Sequence, residues 1–459
     1  MKCSIAQALS VLLVAASAII TPKLCAQKSI YADYPQKKGK LQELQWDALP
    51  SWATIDFELR GRTEGQTAYN LTSGNGRVYE LTRVHGGIEV RPTKHISSYL
   101  QFHDNHALGL PTHIIASNMR DAFDLREAYV EFRYKPADLY FGRQELKFGS
   151  ERLIGVSDWT NNSRTFDGID LRLGNKNKID LFSTSVVNVH PTALDTHGAG
   201  LNYHGAYGSI AGWIPNVELQ PFVFIKAIRN VTSQQNIKGS ELIATFGAEV
   251  EGKLPAHFDY LVNGALQRGS YSNDSVHAGE FIGKLAYTAE DLPGRPRLGG
   301  EFNWASGNTK RDPTRINTFD QQYPSNHNAF GLVDEFGYQN IRQERINLDI
   351  GPRKDLYLLF QGGFLNLVSR NDALYTSGGS ALIKAPPTGF NFTDIGSEFD
   401  ASAKYVFHDY IVVNAGIGHF FPGAVMTHYG KPGSLTLGYF SLTYRFRVDK
   451  HAHNSNTQP

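Results

Sequence analysis

Short links and long ones take turns along this chain, and no other feature limits its fold as much. About eighteen runs of alternating apolar and polar residues can be read, near 52–64, 78–92, 95–106, 124–135, 138–148, 164–174, 178–190, 198–214, 219–229, 241–252, 258–269, 276–289, 297–307, 341–351, 355–368, 395–407, 410–421 and 434–446. Each even-numbered run is followed by a tight, turn-like link, such as Lys135-Pro136-Ala137-Asp138, Gly174-Asn175-Lys176-Asn177 or Gly351-Pro352-Arg353-Lys354. Most odd-numbered runs lead into long polar stretches, at 107–123, 149–163, 308–340 and 369–394. A soluble sandwich has little reason to sort its loops by strand parity.

A closed membrane barrel does sort them, with short turns on the periplasmic side and long loops outside. The fold class expected is all-β, a transmembrane antiparallel up-and-down β-barrel of about eighteen strands in the outer membrane. Each run supplies the roughly 9–11 residues that a tilted membrane strand needs. The last run is the cleanest, with Phe440, Leu442, Tyr444 and Phe446 alternating with Ser441, Thr443 and Arg445. An even strand count leaves both termini on the export side.

Composition agrees, since Gly 44, Tyr 22 and Phe 27 against Met 3 suit strands and turns. A formal charge of +1 with 19 % charged residues excludes a polybasic nucleic-acid binder. Residues 1–26 read as a secretory signal peptide, with Lys2, an apolar stretch from Ala6 to Ile20, and Ala26 at the cleavage point. Cys3 and Cys25 both fall inside it, so the mature chain has no thiol for a disulfide, a metal or a nucleophile. Losing Lys2 and Lys23 takes the formal charge from +1 to −1. Residues 27–51 read as a periplasmic leader, 52–446 as the barrel domain and 447–459 as a disordered tail.

With lipid outside, the apolar face of each strand points outward and the charged face inward. That assigns Asp56, Glu58, Arg60, Arg62 and Arg83 to the lumen early in the chain. Glu89, Arg91, Glu131, Arg133, Arg143, Glu145, Lys147, Asp170 and Arg172 follow, then Arg345, Asp349, Glu398, Asp400, Lys404 and Arg445. Charges of both signs on facing strands would form ion-pair ladders.

The centre of the chain carries a recognisable pattern. Tyr140-Phe141-Gly142-Arg143-Gln144-Glu145-Leu146 is followed by Gly149, Glu151-Arg152-Leu153, Asp158-Trp159 and Arg164-Thr165-Phe166-Asp167-Gly168. A second block is Gln322-Tyr323-Pro324-Ser325-Asn326-His327, with Gly331, Asp334 and Asn340 beyond it. Together these resemble the alginate export family of Gram-negative outer-membrane barrels. The resemblance implies an eighteen-strand barrel with an arginine-lined pore that passes an anionic polysaccharide outward. Within the matching motif Arg143, Glu145, Arg152, Arg164, Asp167 and Arg172 become candidates for a charged constriction. Guanidinium groups suit that role because they pair with carboxylates in a fixed fork and stay charged. His327 and Asp334 would organise the late outer loop, within reach of the solute.

Other chemistry is weakly supported. His103 and His106, three apart on a strand end, face opposite sides and make a poor metal pair, so no metal and no cofactor are expected. Asp56 and Glu58 share a face but fit a charge ladder better than a hydrolase pair. There is no P-loop, G-x-S-x-G or H-E-x-x-H motif. The function expected is a passive, monomeric channel, surrounded by outer-membrane lipid, for anionic saccharide chains or smaller acids, fed by periplasmic export machinery. Two other readings are an outer-membrane barrel enzyme with a site at the pore mouth and an exported carbohydrate-binding β protein.

Overall fold

The computed structural model describes residues 42–450, apart from 311, 313, 328 and 409. The signal peptide, most of the leader and residues 451–459 of the tail read from the sequence lie outside these residues. Residues 447–449, read as the start of a disordered tail, instead continue the last strand, with Arg447 and Val448 paired to the first.

Eighteen strands close into a barrel. They are β1 Ala53–Gln66, β2 Arg77–Thr93, β3 Ile96–Leu108, β4 Asp121–Tyr134, β5 Ala137–Gln144, β6 Phe166–Gly174, β7 Lys178–Val186, β8 Leu201–Ala211, β9 Val217–Thr232, β10 Lys238–Leu254, β11 Phe258–Tyr271, β12 Asp274–Thr288, β13 Arg297–Ala305, β14 Ile341–Arg353, β15 Leu356–Leu367, β16 Asp394–Phe407, β17 Ile411–Pro422 and β18 Leu435–Asp449. Each pairs antiparallel with the next, and β1 closes on β18 in a register running from Ile55↔Val448 to Gln66↔Leu437. Every expected run is a strand and the even links are short, although the odd links at 233–237 and 272–273 are short as well. Gln42–Gln45 adds a short parallel pairing to Phe446–Asp449, which the sequence pattern did not suggest.

Side-chain alternation follows the expected sense. Leu59 is 41 % exposed on the outside, whereas the next residue, Arg60, is 8 % exposed on the inside. Phe141, Phe399, Phe440 and Leu442 are likewise exposed, as an apolar belt against lipid requires. No helix among the described residues is long and apolar enough to cross a membrane.

The expected strand 138–148 stops at Gln144, and the difference has a physical cause. Leu146 is 1 % exposed, and Phe148 stacks on Tyr207 with ring centroids 4.6 Å apart. The chain has left the wall and turned into the barrel. Gly149 permits this with φ +53°, and a Cβ there would meet Glu249 Oε1 and Tyr207 Oη, each at 2.9 Å. Residues 145–165 and, among those described, 317–340 fold inward and join at the Ile154↔Tyr323 bridge, while Arg315–Ile316 extends the wall beside Ser275 and Val276. Phe319, Phe330, Phe336 and Tyr338 from the second loop pack with Leu153, Ile154, Phe182, Tyr203 and Phe224 in one buried cluster. The lumen is therefore not the continuous water-filled tube that the charged faces suggested, because an apolar plug fills one side of it.

Candidate functional site

Period-two spacing brings Glu58, Arg60, Arg62 and Glu64 of β1 onto one inward row. Their neighbours are Arg83 of β2, across from Arg60, and Arg445 of β18, across from Glu58. Facing arginines repel unless an anion lies between them. The in-folded loop supplies one: Asp158 Oδ1 lies 2.9 Å from Arg83 Nη1, and the Asp158 carbonyl accepts from Arg60 Nη1 at 2.8 Å and from Arg83 Nη1 at 3.2 Å. Burial raises the Asp158 carboxyl, but Arg83, Arg60 and Arg445 outweigh it and hold the group below the usual carboxylate range. Its side chain is still 57 % exposed, so the carboxylate faces open space while it pairs.

The remaining charges are also matched. Glu58 bridges Arg83 and Arg445, accepting from Arg445 Nε at 2.5 Å. Arg126 binds Glu145, Glu127 Oε1 at 2.7 Å and Gln101 Oε1 at 2.6 Å. Arg62 pairs with Glu64 at 2.6 Å and lies 3.8 Å over the Trp159 ring. The other face of Trp159 stacks on His327 at 3.6 Å. These groups surround a cavity of about 1080 Å³ whose lining holds eight basic and seven acidic side chains. Arginines dominate the β1, β2, β4 and β18 wall.

Of the lumen, constriction and loop residues expected from the sequence, Asp56, Glu58, Arg60, Arg62, Arg83, Glu145, Lys147, His327, Lys404 and Arg445 meet at this cavity. The others lie elsewhere. Arg143 Nε donates to Asp167 Oδ1 at 2.8 Å and its Nη1 to the Leu125 carbonyl at 2.9 Å. Arg172 joins Asp170 and Asp180 at 2.8 and 3.3 Å, and Arg133 donates to Glu131 at 2.7 Å. Arg164 staples the two loops through the carbonyls of Gly155 at 2.7 Å and Tyr323 at 2.5 Å. Arg152 and Arg345 converge on buried Glu301, at 2.6 and 2.5 Å. Asp334 Oδ2 is 4.0 Å from His327 Nδ1. Burial lowers the imidazole well below its ordinary value and, with Glu335 and Glu64 nearby, pushes Asp334 up to about 8, so the two face each other uncharged.

Arg126 escaped the sequence pattern. The pairing of β3 with β4 shifts register between Gln101↔Glu127 and Phe102↔Leu125, which leaves Arg126 as the extra residue of a bulge and turns it inward, out of parity with Glu131. Asp158 and Trp159 lay inside the recognised motif, yet a loop has no parity from which to read their direction.

Comparison with known proteins fits this geometry. The Alginate export family model matches residues 51–434. Solved structures similar in fold include OccK11 (OpdR) of Pseudomonas aeruginosa, at 12 % identity and TM-score 0.56, covering 88 % of this chain and 100 % of that one. OccAB2 of Acinetobacter baumannii is similar at 10 % identity and TM-score 0.59, covering 87 % and 100 %. OpdK of Pseudomonas aeruginosa with vanillate is similar at 10 % identity and TM-score 0.55, covering 86 % and 98 %. No curated protein matches the chain. The chain is a porin-like barrel of the cell outer membrane and belongs to the alginate export family.

Proposed function

We propose that the protein is a passive outer-membrane channel for small anionic solutes, uronate monomers or short acidic saccharides among them. The observation that carries this reading is the Arg60–Arg83 pair, which lines the main cavity, with Arg83 shared between Glu58 and the exposed carboxylate of a loop residue, Asp158, and Arg60 held by loop carbonyls. A solute carboxylate can take the place of Asp158 at little cost, since one charge-assisted contact replaces another. The interleaved acids then matter as much as the arginines, because a pore must hold its cargo weakly enough to release it. With loops 145–165 and 317–340 folded inward, the cavity fits single acids or short oligomers better than a polymer in transit.

A second reading, passage of an anionic polysaccharide, is favoured by the family match and requires those loops to withdraw. Blockade of ion current in planar bilayers separates the two. The small-solute reading expects galacturonate, mannuronate dimers and vanillate to interrupt the current at comparable concentrations. Block by long uronate chains alone would replace it with the polymer reading. No catalytic residue is assigned, and the channel is proposed to act as a monomer.

A further inference from the structure

A second group of charges lies apart from the main cavity, at the outer end of β3 and β4. On β3, His103 faces Asp124 of β4, and Asn105 faces Asp121. The loop 187–200 brings Asp195 to the same place, so that carboxylate oxygens of Asp121, Asp124 and Asp195 all lie within 4.8 Å of one another. Asp121 and Asp124 are 0 % and 3 % exposed. Three carboxylates held this close, two of them buried, repel strongly unless something positive joins them.

The hydrogen-bond donors that reach the trio are one side-chain amide and three main-chain N–H groups. The Asn162 amide donates to Asp121 Oδ2 at 3.1 Å, the Leu125 N–H to Asp124 Oδ1 at 2.5 Å, the Asp195 N–H to Asp124 Oδ2, and the His190 N–H to Asp195 Oδ1 at 2.8 Å. All of these donors are neutral. The Asn105 Nδ2 lies 3.3 Å from His103 Nδ1, and His103 Nε2 lies 2.9 Å from Asp121 Oδ2. Arg143, the nearby guanidinium, is committed to Asp167 and reaches only the main-chain oxygen of Asp195, at 3.5 Å.

A further observation, independent of the acids, points to a ligand. The side-chain oxygen of Asn105, a residue with 0 % exposure on the strand position facing Asp121, accepts no hydrogen bond. Asp121 Oδ1 is equally buried and also without a partner. Buried oxygens are seldom left in this state.

We propose that Asp121, Asp124 and Asp195, with the Asn105 side-chain carbonyl, form a calcium site that fastens loop 187–200 to the barrel wall. Oxygen-only donors of irregular geometry suit Ca²⁺, which accepts 6–8 oxygens flexibly, over Mg²⁺, which demands a regular octahedron. Asp195 sits on a loop and is half-exposed, so the ion enters from outside and exchanges. The site stands whether or not the channel reading does.

The test uses full-length protein refolded into detergent without lipopolysaccharide and stripped with EDTA. Calcium titration followed by calorimetry is expected to show one saturable equivalent, with Mg²⁺ competing at least about tenfold more weakly. Asp195→Asn, a loop substitution that leaves the wall intact, should weaken Ca²⁺ binding about tenfold or more, and Asp124→Asn/Asp195→Asn should abolish it. Heat-modifiable gel mobility reports whether each variant is folded. Asp104→Asn, an exposed acid on the same strand, should bind as the parent does. Absence of saturable binding to the parent, or folded Asp195→Asn binding as tightly as the parent, would overturn the proposal.

Discussion

The two sides of this lumen use equivalent inward positions in opposite ways. On β1, β2, β4 and β18 those positions hold Arg60, Arg62, Arg83, Arg126 and Arg445 beside an open cavity. On β7 to β9 they hold Phe182, Tyr203, Phe222 and Phe224, all nearly inaccessible. A buried aromatic on the inside of a barrel must be covered by something other than lipid, and here the cover is loops 145–165 and 317–340. The charged side needs the same loops for a different reason, because Asp158 separates two facing arginines. One pair of loops thus completes both sides, and the channel is what they leave open.

The largest expected effect comes from the joint between the sides. Glu301 lies buried among Arg152, Arg345 and Lys284, so Glu301→Ala would remove the carboxylate that three largely buried cations share. The expected loss is about 3–5 kcal/mol, read as a lower urea midpoint of unfolding in micelles. Cutting into the plug should cost nearly as much: Phe330→Ala is expected to destabilise by about 3–5 kcal/mol and to raise single-channel conductance, and an unchanged conductance would show that the plug does not limit the pore.

Changes on the charged side should alter selectivity, with some loss of stability because Arg60 and Arg83 are buried and partnered. Arg60→Ala with Arg83→Ala removes charge-assisted contacts of about 1.5–3 kcal/mol each, so block by galacturonate should weaken about tenfold or more. Asp158→Asn should act with the opposite sign, leaving the arginine pair less compensated and raising anion preference by a smaller factor. The same direction from both substitutions would break the link between loop and wall.

The smallest effect is a pH dependence of the plug. Asp334 is pushed up to about 8 in the folded chain, mainly by burial, against an ordinary value near ~3.9 when unfolded. The folded form therefore holds the extra proton between these values, and its stability falls as pH rises through that window. Amide exchange at 331–336, corrected for intrinsic rate, should be faster at pH 8.5 than at pH 5.5, and Asp334→Asn should flatten the trend.

The wall was legible because alternation and loop parity both follow from the geometry of a closed sheet. Ion pairs such as Glu58–Arg445 and Arg143–Asp167 follow from placing charges on the same face. The plug was not legible from parity, which says nothing about where a long loop goes. A signal was nevertheless present in Pro221-Phe222-Val223-Phe224-Ile225, which is apolar on both faces, whereas a strand between lipid and water needs only one apolar face. The mixed faces of 139–148 carry the same message, since Leu146 and Phe148 belong to the interior. Which arginines converge depended on the bulge at Arg126 and on a loop residue, Asp158, and neither shows in a period-two pattern. The acidic trio lay beyond sequence reach as well, because Asp195 is far from Asp121 along the chain.

The central claim is that the β1–β2 arginines set the charge preference of the opening that the loops leave. Reversal potential in a planar bilayer under a potassium chloride gradient tests it most directly. The parent channel should prefer chloride, and Arg60→Ala/Arg83→Ala should lose that preference with the barrel still folded. A parent channel without anion preference, or a double variant with the parent's reversal potential, would contradict it.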